Sequence, residues 1–166
     1  MRKRLVSTRV VADAGPLIGL AKINRLDLLL QLFGCVRVPE AVAAELNMDT
    51  PLPGATALNH ARKQGWLLIQ AAPTVAARLL VAVDRGEAEA IALARQEEAL
   101  LLIDERLGRA AAQADGVRIF GTGALLVKAK QAGLIKAVRP ELEALSRCGY
   151  RLSDTLQQEL LRLAGE

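Results

Sequence analysis

The chain has 166 residues, 52% of them hydrophobic, and a formal net charge of +4, so it can bury its own core and tolerates a polyanionic partner. Its only histidine, His60, excludes a two-histidine ribonuclease mechanism and a His-rich zinc site. Aromatic residues make up only 2% of the chain, which argues against RNA platforms that work by base stacking.

Five short apolar runs are predicted to be buried strands, because they are nearly continuous in hydrophobicity rather than alternating. They cover residues 9–13, 35–39, 66–70, 99–104 and 117–120. Helical patterns cover residues 16–33, 39–47, 55–64, 86–97, 105–114, 122–132, 140–147 and 153–164, with Asn24 as the point where the first would break. This alternation predicts an α/β fold, with helices on both faces of a five-stranded, mostly parallel sheet. One domain is expected over residues 1–166, with no linker and no internal repeat.

Glycines and capping residues support these boundaries. Gly34, Gly65 and Gly116 each stand where a helix should end before a strand, and Ser153 is placed to cap the last helix. The stretch 47–55 has the composition of a loop.

The cysteines and the lengths of the apolar runs indicate the cellular compartment in which the protein works. Cys35 and Cys148 have no CxxC spacing, so neither a zinc ligand set nor a disulfide is expected. The basic start of the chain leads into no signal-peptide core, and no uninterrupted apolar run reaches the length of a membrane span. A cytoplasmic protein without membrane attachment is therefore expected.

Four carboxylates are predicted to converge on one edge of the sheet. Asp13 and Asp104 end the first and fourth predicted strands, and ligands bind beyond the carboxyl ends of parallel strands. Glu45 and Glu87 share helix faces with small apolar residues that should pack inward. An oxygen-only cluster of this kind is typical of a Mg²⁺ or Mn²⁺ site.

Each of these acids also has a structural alternative. Asp13 and Asp104 could cap the helices that follow them. Glu87 could close a capping box with Asp84 in the sequence DRGE, and Glu45 could extend into solvent near its helix end.

Other acidic residues are weaker candidates. Glu89 should face away from Glu87 on its helix, and Glu105 should either point away from Asp104 or flank it. Three further acids are interpreted as solvated residues of helices or turns: Asp27, Asp49 and Asp115.

Four polar residues beyond the acid set could contact a substrate phosphate. Thr122 follows the fifth predicted strand, although it could equally cap the next helix. Arg106 and Arg109 lie three residues apart on the helix after Asp104, and Lys128 lies on the helix after Thr122. Basic side chains of this kind more often lie on the solvent-exposed face of a helix without binding a ligand.

The ordered set of motifs resembles the PIN-domain family, and in particular the branch related to VapC toxins of toxin–antitoxin systems. The segments that carry the resemblance are VVADAGPLIGLAKINRLDLLLQLFGCVRVPEAVAAEL, DRGEAEAIALA, LLIDERLGRAAA, IFGTGALLVKAKQAGLI and GYRLSDTLQQELLRLAGE. Each motif is short, and their order along the chain makes the set specific.

The resemblance implies a three-layer α/β/α sandwich and a metal-dependent ribonuclease. The family's four acids fall on Asp13, Glu45, Glu87 and Asp104, which would hold Mg²⁺ or Mn²⁺, and its hydroxyl residue after strand five falls on Thr122. An RNA substrate and a small antitoxin protein would be the partners. A homodimer could form through the apolar helices predicted at 16–33 and 55–64.

Two positions depart from the family pattern. Gly15 stands where many members carry Ser, Thr or Asn, and Leu102 stands where many carry Thr. These departures favour the alternative function, a catalytically weak or inactive module that binds nucleic acid or a protein partner.

Overall fold

The computed structural model describes residues 8–166. The strands are β1 (Val10–Ala12), β2 (Val36–Pro39), β3 (Leu67–Gln70), β4 (Leu100–Leu102) and β5 (Ile119–Phe120). The helices are α1 (Ala14–Lys22), α2 (Asp27–Phe33), α3 (Glu40–Glu45), α4 (Ala55–Gln64), α5 (Ala77–Ala82), α6 (Arg85–Gln96), α7 (Arg106–Ala114), α8 (Thr122–Gln131), α9 (Arg139–Arg147) and α10 (Asp154–Leu163). Each helix in this part of the chain is too short or too polar to cross a membrane.

The five strands form one parallel sheet in the order β3-β2-β1-β4-β5. All three residues of β1 are buried, and Val11 lies opposite both Arg37 of β2 and Leu101 of β4. Helix α6 contacts β1, β2 and β4, while α4 contacts β3 and α7 contacts β5. The predicted α/β fold with a five-stranded parallel sheet is therefore confirmed.

A second, smaller apolar cluster joins the last three helices. Leu126 of α8, Leu142 and Leu145 of α9, and Leu160 of α10 are all buried within it. This cluster fixes the segment between α9 and α10 against the rest of the fold.

The helix boundaries differ from the prediction in two places. The stretch 16–33 forms two helices, α1 and α2, and Asn24 lies between them with a φ of +58°, which breaks the helix at the predicted residue. The sequence does not predict helix α5, because the short stretch ARLLVA offers neither a capping residue nor a polar face.

Asp115 corrects another expectation. Its side chain is only 4% exposed and pairs with Arg78 at 2.5 Å and with Arg95 at 3.9 Å, so the prediction of a solvated residue is wrong. Because Arg78 belongs to α5, this pair ties α5 to the end of α7.

The predicted glycine helix ends and the predicted Ser153 cap are confirmed. Gly34, Gly65 and Gly116 all have positive φ angles, and the side chain of Ser153 accepts a hydrogen bond from the Leu156 N–H at 3.2 Å. Both cysteines are free.

Candidate active site

Asp13 and Asp104 follow the two strands at which the strand order reverses. The chain moves outward from β1 through β2 to β3, then returns to the other side of β1 for β4 and β5. The Asp13 N–H donates to the carbonyl of Leu102 at 2.9 Å, so the ends of β1 and β4 lie side by side. A crevice at such a switch point is the usual ligand position in open parallel sheets.

The start of α6 brings two more carboxylates to this crevice. Asp84 caps the helix by accepting the Glu87 N–H at 2.8 Å, which is one half of the predicted capping box. The Glu87 side chain is buried, and its carboxyl carbon would lie 3.4 Å from a Cβ added at Gly108. A glycine on α7 therefore leaves the space that Glu87 fills.

Glu45 reaches the same region from the end of α3, although it is exposed rather than packed inward as its helix face predicted. A Cβ added at Gly86 would overlap Glu45 Oε1, so this carboxylate lies directly over the first turn of α6. A side chain at residue 86 would therefore displace the end of the Glu45 side chain rather than the backbone of α3.

The carboxylates influence one another's titration. Burial raises the pKa of Asp13 to about 6, with further contributions from the charges of Asp84, Glu45 and Asp104. Burial raises the pKa of Glu87 to about 7, and Asp84, Asp13 and Glu105 add to the effect. The pKa of Glu45 is also raised, by burial and then by Asp84.

The negative charges in this cluster take part in no ion pair within the described part of the chain. Among the ion pairs of residues 8–166, none involves Asp13, Glu45, Asp84, Glu87 or Asp104. The arrangement accumulates negative charge that a cation could neutralise. We name Asp13, Glu45, Asp84, Glu87 and Asp104 the acid cluster.

Asp104 is held by residues from distant parts of the chain. Its Oδ1 accepts the Thr122 N–H at 2.9 Å, and its Oδ2 accepts the Thr122 hydroxyl at 2.5 Å and the Tyr150 hydroxyl. The alternative that Asp104 caps α7 is wrong, because Glu105 takes that position and accepts the Gly108 N–H at 2.8 Å. Thr122 is buried and is the first residue of α8, so it does not cap that helix.

The donor set fits a hard divalent cation in its chemistry, since every member is a carboxylate and several are held at raised pKa. Within residues 8–166, however, no three acidic, histidine or cysteine side chains converge closely enough to enclose a metal ion. Glu45 is exposed and can rotate, so it is the member best able to complete a coordination sphere.

A groove of about 830 Å³ opens beside Asp104, between the start of α7 and the segment that joins α9 to α10. Three arginines line it: Arg106, Arg109 and Arg151. The Arg109 guanidinium donates to the Ile103 carbonyl at 3.0 Å, which holds it at the end of β4. Lys128 is exposed further along α8 and does not line the groove.

Glu89 does not join the acid cluster. Its carboxylate accepts the Ala41 N–H at 3.3 Å and pairs with Arg85 at 3.0 Å, on the other side of α6 from Glu87. The expectation that it faces elsewhere is confirmed.

Three residues of the site were missed in the sequence. The sequence predicts Asp84 only as a capping residue, although its place before Glu87 also suits a ligand. Tyr150 and Arg151 follow a predicted helix without any motif, and only the return of the chain to the sheet edge brings them to Asp104.

A protein-family model described as "DUF3368: PIN domain" matches residues 9–166. The chain belongs to the PIN-domain family. PIN domains are generally nucleases and typically use divalent metals. A comparison of this PIN domain with curated proteins found no match.

Solved structures provide two further similarities to this PIN domain. One is a PilT N-terminus domain protein, SSO1118, from the hyperthermophilic archaeon Sulfolobus solfataricus P2, with 17% identity and a TM-score of 0.49 over 72% of this chain and 92% of that one. The other is a domain of a functionally unknown protein from Methanocaldococcus jannaschii DSM 2661, with 17% identity and a TM-score of 0.44 over 69% and 90% of the two chains.

Proposed function

We propose that this PIN domain is a metal-dependent endoribonuclease that hydrolyses RNA phosphodiester bonds. The observation that carries the proposal is the acid cluster, whose members take part in no ion pair among residues 8–166. Burial, and then the charges of neighbouring carboxylates, raise the pKa values of Asp13, Glu45 and Glu87. Maintaining that repulsion costs stability, and a structural role does not require it.

Asp13, Glu45, Glu87 and Asp104 would hold Mg²⁺ or Mn²⁺, with Asp84 adding negative charge beside them. When bound, such a cation polarises the scissile phosphate and lowers the pKa of an attacking water. Asp13 and Glu87 must lose their protons to serve as ligands, and the exposed side chain of Glu45 would rotate toward them. No side-chain nucleophile is required, which agrees with the position of His60 in a separate pocket beside Trp66.

The groove beside Asp104 would guide the RNA strand to the acid cluster. Arg106, Arg109 and Arg151 present guanidinium groups that suit phosphate oxygens, and phosphate contacts fix the position of a strand without reading its sequence. Thr122 contributes indirectly, because its N–H and its hydroxyl both donate to Asp104. Lys128, which lies outside the groove, would contact only a longer substrate.

The same proposal extends to a VapC-like toxin that acts in the cytoplasm and is restrained by a small antitoxin protein. The support is the ordered motif set and the family membership. A cavity of about 210 Å³, lined by Ala21, Leu26, Leu30, Ala61 and Trp66, offers an apolar surface between α1, α2 and α4 at which a homodimer could form. Co-expression with the product of a neighbouring short gene, followed by co-purification, tests the antitoxin part directly.

A second candidate function is a module that binds nucleic acid or protein without cleaving. The wide spacing of the carboxylates favours it, because no three of them within residues 8–166 enclose a metal-sized site. Leu102, which is fully buried, supplies no polar side chain beside Asp104, and Gly15 supplies none beside Asp13.

Incubation of the purified chain with a mixed RNA pool separates the two functions. A nuclease should cleave RNA with Mg²⁺ or Mn²⁺, lose the activity in EDTA, and lose it in Asp104→Asn. The matched control is Asp49→Asn, because Asp49 is 81% exposed and lies outside the acid cluster. Intact RNA under all conditions, together with retained RNA binding, would favour the binding module.

A further inference from the structure

Tyr150 contacts the acid cluster from a segment that no sequence motif connects with it. Its hydroxyl donates to Asp104 Oδ2, the same oxygen that accepts the Thr122 hydroxyl at 2.5 Å, and the two hydroxyl oxygens lie 3.4 Å apart. With the Thr122 N–H on Oδ1, the carboxylate accepts three hydrogen bonds. Both of its oxygens are therefore fixed in one orientation.

The Tyr150 ring is itself held tightly. A Cβ added at Gly19 of α1 would lie 3.0 Å from the ring atom Cδ2 and 3.4 Å from Leu145 Cδ2, so the ring packs directly on the α1 backbone. The Tyr150 N–H donates to the Leu145 carbonyl at 2.9 Å, which ties the residue to the end of α9. A side chain anchored in this way can hold its hydroxyl at a defined point.

Tyr150 supplies a side-chain hydrogen bond to Asp104 that strand β4 does not supply. Leu102, two residues before Asp104, is fully buried and cannot hydrogen-bond through its side chain. The segment that carries Tyr150 is docked on α8, where a Cβ added at Gly123 would overlap the Leu160 side chain. The hydrogen bond from Tyr150 to Asp104 therefore depends on the docking of the segment from Gly149 to Leu163.

We propose that Tyr150 is a positioning residue of this nuclease: its hydroxyl fixes the orientation in which Asp104 takes part in metal binding. This inference rests on the proposed function. Hydrogen-bond partners of metal-ligating carboxylates typically change metal affinity or activity 10–100-fold when they are removed. Because Thr122 still holds Asp104 after the loss of Tyr150, we expect an effect on the order of tenfold.

Tyr150→Phe tests the proposal, because it removes the hydroxyl and keeps the ring on Gly19. We expect Mn²⁺ affinity, measured by calorimetry, and kcat for RNA cleavage each to fall about tenfold, while KM and the melting temperature stay close to wild type. In the apo protein, the Thr122 amide resonance should shift, because its acceptor Asp104 loses the hydrogen bond from Tyr150. The control Ser146→Ala removes an exposed hydroxyl from α9 and should change none of these values.

Gly19→Ala provides a second test that leaves Tyr150 unaltered. The added methyl group displaces the ring and should weaken Mn²⁺ binding in the same direction as Tyr150→Phe. If both variants bind Mn²⁺ and cleave RNA within twofold of wild type while Asp104→Asn is inactive, the inference is overturned and the proposed function stands. If wild type neither binds Mn²⁺ nor cleaves RNA, the proposed function fails and this inference fails with it.

Discussion

Neutralising Asp13 should stabilise the protein in the absence of metal, and the gain should depend on pH. The pKa of Asp13 is raised from 3.8 to about 6, chiefly by burial. Where Asp13 is ionised in both the folded and the unfolded chain, this difference corresponds to about 3 kcal/mol of lost stability. The loss is absent below pH 3.8, develops as the pH rises toward 6, and is complete above it. Asp13→Asn removes the pH dependence that Asp13 gives to the free energy of unfolding.

We expect Asp13→Asn to raise the free energy of unfolding by about 1–3 kcal/mol at pH 8, less than the full amount because the amide must also be buried. At pH 4 most of the gain should disappear. Urea denaturation at both pH values measures the difference, and Asp49→Asn is the control for loss of an exposed carboxylate. Equal free energies of unfolding for Asp13→Asn and wild type at pH 8 would show that the charge of Asp13 does not destabilise the fold. A loss of several kcal/mol at pH 8 would instead indicate a buried ion pair.

Three further substitutions examine the rest of the site. Glu87→Gln should raise the melting temperature at pH 8 and abolish RNA cleavage, because it removes a carboxylate whose pKa is about 7; a less stable variant would contradict the repulsion. Gly86→Ala should leave the melting temperature equal or higher, because alanine favours the helix, but weaken Mn²⁺ binding in calorimetry by displacing Glu45; unchanged binding would remove Glu45 from the site. Arg109→Ala should raise KM for RNA and reduce its salt dependence with little change in Mn²⁺ affinity, and an unchanged KM would place the strand elsewhere.

The sheet and its acids could be predicted from sequence because the signals are local. Each strand is a short apolar run. Asp13 follows β1 directly, and Asp104 follows β4 after one further apolar residue, Ile103. The rule that parallel strands present their carboxyl ends at one edge then places both residues together without further information.

The remaining features of the site depend on contacts between distant segments. Tyr150 lies 46 residues from Asp104, and its ring packs closely against Gly19, where an added Cβ would lie 3.0 Å from the ring. Asp104 was expected to compete for the cap of α7, but the Thr122 backbone and hydroxyl draw its carboxylate toward α8 and leave the cap to Glu105. Helical periodicity alone specifies neither the contact between Tyr150 and Asp104 nor the residue that caps α7.

The sequence leaves two alternatives for Glu45, and the structure shows the one in which the side chain extends into solvent near the helix end. Its helix face predicted burial, but α3 ends at this residue, so the side chain is exposed at the helix terminus while its carboxylate extends over Gly86. Periodicity indicates a face, and the end of a helix determines how much of that face is covered.

Calorimetric titration of the apo protein with Mn²⁺ at pH 8 and pH 6 tests the central claim most directly. We expect binding at pH 8 that weakens at pH 6, because protons compete for Asp13, with a pKa of about 6, and for Glu87, with a pKa of about 7. Asp13→Asn should lose at least tenfold in affinity, and Asp49→Asn should match wild type. No heat at millimolar Mn²⁺ and pH 8, or equal affinity in Asp13→Asn, would contradict the assignment of the acid cluster as a metal site.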